Sequence, residues 1–359
     1  MTRQMQSDYM DFAKFGADAR YNLATSGVAS ADLADLGLTW SDLALHGPNA
    51  GGYAPLVETV AARFGVDPAC VVMPGGGASF ANHLALAALV SPGDEVLIEW
   101  PSYELLSSTL GYLQADVRRF ERRLDQAWRL DPYRVEAALT PKTKLVVLTN
   151  LHNPTSAYAD DATIHAIAAA AAKVGAMVFV DEVYRELMFV DDEAAETSFL
   201  ADGNIVVTSS LTKAYGVTGL RCGWILAPAT LAQRMRRLND LYGVHPPHIA
   251  ERMSVVAFGR LPQLRARANA LIGAGRAAYL AVLGDHPKLS QVVFKQGTTV
   301  FPRLSEGDGD HFFQRLIEKF ETSVVPGRFF GLARHIRVGL AGDPHTTRIG
   351  LGRVAAALE

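Results

Sequence analysis

The chain has 359 residues, which corresponds to about two domains at roughly 150 residues each. Lys and Arg together number 34 and Asp and Glu 37, so the formal charge is −3 and there is no basic excess for a nucleic-acid surface. With 49% apolar and 20% charged residues the chain is globular; two cysteines, Cys70 and Cys222, exclude a disulfide framework or a cysteine metal site and point to a reducing, cytoplasmic compartment.

The N-terminal stretch MTRQMQSDYMDFAKFG carries early acidic residues and no apolar block, so it does not read as a secretory signal. Residues 1–45 match neither half of the pattern that follows and are expected to wrap onto the C-terminal part. From residue 46 to 245, short apolar runs alternate with helical patterns. The predicted strands are Glu95–Trp100, Lys144–Thr149, Ala176–Val180, Ile205–Ser209 and Gly223–Ala227. Each is a near-continuous apolar run, as in strands buried on both faces. Helices are predicted between them, over Ser79–Val90, Tyr103–Leu113, Asp160–Val174 and Ala229–Tyr242. This alternation predicts an α/β fold with a mostly parallel sheet between helices. The longest apolar stretch, from Ile164 to Val180, is broken by Lys173 and Gly175 and does not read as a membrane span, which needs about 20 residues.

Two prolines in Val244–His248 mark an element break. Residues 246–359 then read as a smaller α+β domain. Its predicted helices are Ile249–Gly259, Leu261–Leu283 and Asp310–Phe320, and its strands Gln291–Phe294, Thr298–Leu304, Thr322–Val325 and His335–Leu340.

Five stretches place polar residues just after strand-like runs, and ligands of open α/β sheets bind at the carboxyl ends of strands. In Pro74–Asn82 (PGGGASFAN) three glycines precede a helix start, which favours an anion; a plain glycine turn fits the same letters. In Ser209–Trp224 (SSLTKAYGVTGLRCGW) Lys213 follows an apolar strand, with Ser210 three residues before it and Arg221 eight after. A buried lysine sheds its charge readily, which suits imine formation with an aldehyde. Asp181 ends the strand in VFVDEVYRE, three residues before Tyr184, and serves there as a helix cap or as the partner of a protonated ring nitrogen. No His and carboxylate cluster at metal spacing accompanies it. Asn153 sits in the Asn-Pro turn of TNLHNPTS, and Tyr103 in EWPSYE either stacks on a flat ring or belongs to the core.

Taken together, these stretches resemble the fold type I pyridoxal-phosphate enzymes, in particular the class I/II aminotransferases. The resemblance runs from about His46 to Val338. The acidic strand end lies 32 residues before the lysine, and Asn-Pro 28 residues before that. It implies pyridoxal 5'-phosphate as cofactor and amino-group transfer between an L-amino acid and a 2-oxo acid, through a Schiff base on Lys213. Asp181 resembles the partner of the ring nitrogen, and Asn153 and Tyr184 the pair that bonds the ring hydroxyl. Tyr103 resembles the stacking aromatic. Gly77, Ala78, Ser79, Ser210 and Arg221 resemble the phosphate site. Arg337, in HIRVGLAG, resembles the arginine that grips the substrate α-carboxylate beside Asn153. Thr25–Val28, with Gly27, resembles the segment that closes over the substrate. His46 stands five residues before Gly51, where the family often has a tyrosine reaching the partner subunit's phosphate. A homodimer with small-molecule substrates, no nucleic acid and no membrane follows from the resemblance.

A β-lyase or a decarboxylase of the same fold would use the same cofactor contacts. A pyridoxal-phosphate-binding regulator would need a basic DNA-binding module, for which the first 45 residues are too few and too acidic. A nicotinamide dehydrogenase would need G-x-G-x-x-G after a first strand, and none is so placed. Arg20 and Arg252 are the arginines available for a distal substrate carboxylate; a neutral or modestly polar donor is the default.

Overall fold

The computed structural model describes residues 3–49, 52–188 and 196–359. After a two-residue strand β1 (Tyr21–Asn22), the apolar runs build one seven-stranded sheet. Its strands are β2 (Val71–Val72), β3 (Glu95–Trp100), β4 (Asp116–Glu121), β5 (Thr143–Thr149), β6 (Met177–Asp181), β7 (Ile205–Ser210) and β8 (Gly223–Leu226). They lie in the order β2-β8-β7-β6-β5-β3-β4. The pairings among β4, β3, β5, β6 and β7 are parallel.

Period-two side-chain alternation sorts the strand residues onto two faces. Val146, Leu148, Val178, Val180, Ile205 and Val207 pack with Ile164 and Ile167 of the helix Asp161–Ala172. Leu145, Val147, Phe179 and Val206 pack on the opposite face with Leu84 and Ala85 of the helix Gly77–Leu89. Both faces are therefore covered, which is why these strands read as continuous apolar runs.

Four of the five predicted strands run parallel; β8 does not. It is antiparallel to β7 and to β2. The chain leaving Ser210 is used up by the short helix Leu211–Tyr215 and a turn at the sheet's carboxyl end, so it re-enters beside β7 in the opposite sense. A parallel return would need a crossover back along the whole strand.

The C-terminal strands are shorter than expected. Gln291–Phe294 is not a strand; β9 is Leu289–Ser290. The run Thr298–Leu304 divides into β10 (Thr299–Val300) and β11 (Arg303–Leu304), separated by Phe301 and Pro302. Pro302 has no N–H for a ladder. Thr322–Val325 divides into β12 (Thr322–Ser323) and β13 (Val325–Pro326), and β14 spans Ile336–Gly339. The helix Ala229–Asn239 ends three residues earlier than expected, in a turn.

The N-terminal segment joins the C-terminal strands. Tyr21 and Asn22 of β1 pair in parallel with Thr322 and Ser323 of β12. Leu23 is buried with Tyr279, Val338 and Leu351. Upstream, Gln4 Nε2 donates to Ser108 Oγ at 2.7 Å and the Ser7 hydroxyl to the Glu104 carboxylate, both on the helix Glu104–Tyr112. The first two dozen residues thus bridge the sheet and the C-terminal part.

Candidate active site

At the carboxyl ends of β5, β6 and β7 lies a cavity of about 600 Å³, within the usual range of small-molecule sites. Lys213, Asp181, Tyr184, Asn153, Tyr103, Ser210, Arg221, Ala78, Ser79 and Gly27 all line it.

Lys213 sits on the helix Leu211–Tyr215, whose N-cap Ser210 accepts from the N–H of Thr212. Burial pushes the lysine down to about 8, and the guanidiniums of Arg337 and Arg221 act in the same direction. About a tenth of the amine is then neutral at pH 7. Its Nζ donates to Ser26 Oγ at 2.8 Å. Gly27 makes this approach possible, because a Cβ there would stand 3.1 Å from Lys213 Cδ and 3.2 Å from its Cα.

Asp181 ends β6 and is 3% exposed. Burial pushes its carboxyl up to about 6, against hydrogen bonds from Val183 and Asn82. The Val183 N–H donates to Oδ1 at 3.0 Å and Asn82 Nδ2 to Oδ2 at 2.7 Å. Thr208 Oγ1 donates to Asn82 Oδ1 at 2.6 Å, which fixes the amide with its NH₂ toward the aspartate. Burial pushes the Tyr184 phenol above its ordinary range, opposed by the Arg337 charge and a hydrogen bond from Ser26.

Asn153 is held through two buried links. Its N–H donates to Thr149 Oγ1 at 3.0 Å, and that hydroxyl donates to Glu99 Oε1 at 2.6 Å. Glu99 in turn accepts from Arg122 Nη1 at 2.9 Å, both side chains being 1% exposed. On its other side, Asn153 Oδ1 accepts from Arg337 Nη1 at 3.0 Å. Arg337, on β14, is fully buried behind the cavity wall, and its Nη2 donates to the Tyr9 hydroxyl at 2.9 Å. Tyr9 and Asn153 line the cavity in front of it.

Two chain segments touch at the opposite end of the cavity. The Gly77 N–H donates to the Arg221 carbonyl at 2.7 Å, and Arg221 Nη2 donates to the Gly76 carbonyl at 2.9 Å. A Cβ on Gly223 would stand 2.4 Å from the Gly77 carbonyl carbon. Gly77 itself is buried and does not line the cavity; its N–H is spent on the loop. Ala78 and Ser79 follow it in the first turn of a helix, where N–H groups lack intrahelical partners and favour an anion. The buried Thr212 hydroxyl beside Ser210 has no partner among the described residues and also lines the cavity.

His46 is exposed in the single chain and does not line the cavity; Gly51 lies outside the described residues. Arg20 meets Glu321 at the surface, and Arg252 Nε donates to the Asp42 carbonyl at 3.4 Å; neither lines the cavity. The sequence reading missed Tyr9, placed Ser26 only within the closing segment Thr25–Val28, and gave no role to Asn82, although that residue closes the PGGGASFAN stretch.

Residues 43–354 match the family "Aminotransferase class I and II", and the chain belongs to that family. It is a pyridoxal-phosphate-dependent aminotransferase with the fold of the type I enzymes. An arginine–pyruvate transaminase of Pseudomonas aeruginosa is 30% identical over 287 residues, covering 78% of this chain and 72% of that one. A capreomycidine synthase of Streptomyces vinaceus is 31% identical over 321 residues, covering 87% and 80%. The fold matches a PLP-dependent aminotransferase from Streptococcus suis with a TM-score of 0.87 at 23% identity, over 98% of this chain and 96% of that one. The cavity fits the cofactor group by group. Helix N–H groups, hydroxyls and Arg221 at one end suit a phosphate, the buried carboxylate suits a protonated ring nitrogen, and the amine of Lys213 suits an aldehyde.

Proposed function

We propose that this aminotransferase takes an L-amino acid with a neutral or cationic side chain, passes its amino group to a small 2-oxo acid, and uses Lys213 as covalent anchor and proton carrier. The cavity lining carries the side-chain preference. Among the described residues, Lys213 and Arg221 are its only Lys or Arg members, and the exposed carboxylate of Asp343 lines it as well. A distal substrate carboxylate would therefore meet Asp343 and no further guanidinium. The similarity to an arginine–pyruvate transaminase agrees with a cationic donor and pyruvate as acceptor.

Pyridoxal phosphate, when bound, supplies an electron sink for the pair left at the substrate α-carbon. The chain's own groups do the rest. Ser210, Arg221 and the first-turn N–H groups of Ala78 and Ser79 hold the phosphate; Gly77 shapes the loop. Asp181 keeps the ring nitrogen protonated by charge. Asn153 and Tyr184 would hold the ring hydroxyl, and Tyr103 would cover the ring. Arg337, steadied by Asn153, takes the α-carboxylate as a planar fork once Tyr9, which fronts it and holds its Nη2, moves aside. The Thr25–Val28 segment, with Gly27, covers the substrate, and Lys213 Nζ receives the α-proton.

The reading includes a homodimer, supported by an apolar surface. Trp40, Leu45, Leu241 and Val244 are large exposed apolar side chains on two segments, and Asn49 Nδ2 donates to the Pro246 carbonyl at 3.3 Å between them. A partner seated there would bring His46 toward the other subunit's phosphate. The division into 1–45, 46–245 and 246–359 fits a closing motion, since Arg337 comes from the last part and Asn153 from the middle one. Cys70 and Cys222 are free and buried, as suits a cytoplasmic protein of amino acid metabolism. Among the described residues no helix is long and apolar enough to cross a membrane.

Half-reactions with single amino acids test the proposal, read as conversion of the cofactor to its pyridoxamine form. Arginine and neutral amino acids are expected to react with higher kcat/KM than aspartate or glutamate, by up to about fivefold, an exposed charge contact being worth about 0.2–1 kcal/mol. The reverse ranking refutes the side-chain reading. Release of ammonia or carbon dioxide without the pyridoxamine form would favour the lyase or decarboxylase alternative. Arg337→Ala is expected to lower kcat/KM for amino acids by about 10²–10³-fold, as when a buried charge partner is truncated. Its affinity for the cofactor, measured by titration, should hold.

A further inference from the structure

Ser26 touches the reactive amine directly, yet it belongs to neither the phosphate site, the ring contacts nor the carboxylate grip. We propose that Ser26 is a further catalytic residue: its hydroxyl accepts an N–H of the ammonium formed on Lys213 when the substrate's α-proton arrives. The inference rests on Lys213 being the proton carrier.

Three features hold the hydroxyl in place. Ser26 is 9% exposed, and its carbonyl accepts from Thr298 Oγ1 at 2.7 Å. The Val28 N–H donates to the Lys213 carbonyl at 3.1 Å, so this segment runs alongside the lysine backbone. Gly27 between them carries no side chain to prop the two apart. The Ser26 hydroxyl then accepts from Lys213 Nζ at 2.8 Å, in a cavity that Tyr184 also lines.

The step balances simply. The C–H bond at the substrate α-carbon breaks, its electron pair stays on the carbon side, and the proton forms a new N–H bond at Nζ. A neutral amine becomes an ammonium. Hydrogen bonds from a charged donor are roughly twice as strong as neutral ones, so the Ser26 oxygen favours the loaded lysine over the empty one. It does so where burial and two guanidiniums, Arg337 and Arg221, oppose that charge. Before transfer the same bond occupies one N–H of the amine and restrains a long, flexible side chain.

The test uses the holoenzyme with Ser26→Ala and Ser26→Thr. In the alanine variant kcat is expected to fall about 10- to 100-fold, the low end of what a proton-handling group supplies. KM should change less than about twofold, and the isotope effect with α-deuterated substrate should rise as proton transfer becomes rate-limiting. Threonine keeps the hydroxyl and should recover most of the rate. An alanine variant with kcat within about twofold and an unchanged isotope effect overturns the proposal. So does KM rising in step with the fall in kcat, or a threonine variant as slow as the alanine one. Lys213→Ala separates the two levels: turnover without Lys213 refutes the underlying assignment, whereas a dead Lys213→Ala beside a normal Ser26→Ala refutes only the role of Ser26.

Discussion

Lys213→Ala is expected to abolish turnover, lowering kcat by about 10⁶-fold, the loss seen when a catalytic nucleophile is removed elsewhere. At about 1.36 kcal/mol per tenfold this amounts to about 8 kcal/mol of barrier. The magnitude is large because one amine serves twice, as the cofactor's anchor and as the base at the α-carbon. The fold should survive. Lys213 lies on a five-residue helix, and the neighbouring core side chains Leu211, Ala214 and Tyr215 stay in place. The check is borohydride reduction followed by peptide mass analysis. The parent protein should carry the cofactor on the Lys213 peptide and the variant should carry none, with equal melting temperatures before cofactor is added. Transamination by the variant at about a tenth of the parent rate would refute the assignment.

Asp181→Asn should lower kcat by about 10²–10³-fold, the usual cost of losing one preorganised electrostatic partner. Asparagine has the same shape, but its NH₂ replaces one accepting oxygen, so either the Val183 N–H or the Asn82 NH₂ loses its acceptor, and the charge that keeps the ring nitrogen protonated is gone. The pH dependence gives a second readout. In the cofactor-free protein burial raises this carboxyl from 3.8 to about 6. The folded state therefore binds the proton more readily than the unfolded one. The stability this group contributes is present below pH 3.8 and is lost as pH rises through about 6. A protonated ring nitrogen beside the carboxylate reverses that loss. The rise in Tm on adding cofactor should thus grow between about pH 5 and 7 in the parent and be flatter in the Asp181→Asn variant. Equal slopes in both proteins would remove Asp181 from the ring nitrogen.

Much of the site was legible because it is built at strand ends. Asn153, Asp181 and Ser210 each follow a run of buried apolar residues, and an apolar run that ends in a polar side chain marks a sheet's carboxyl edge in the letters themselves. The direction of β8 was not legible, since Gly-Trp-Ile-Leu has the same composition read either way. Nor was β4, whose Asp116, Arg118, Arg119 and Glu121 are exposed at the sheet edge and break the apolar pattern. Ser26 carried no signal beyond its place in Thr25–Val28, and Tyr9 none at all, for a different reason. Their partners lie 187 and 328 positions away, and periodicity reports only neighbours along one element. The fragmented C-terminal strands share this difficulty: two-residue pairings are set by what packs on them more than by their own propensity.

The contact between Tyr9 and Arg337 sets the two ends of the cavity apart by origin. The cofactor's end uses residues from Ala78 to Arg221, one stretch of the chain. The carboxylate grip joins residues 328 positions apart. Selectivity for substrate is therefore a property of the whole fold, whereas the cofactor's contacts belong to one part of it.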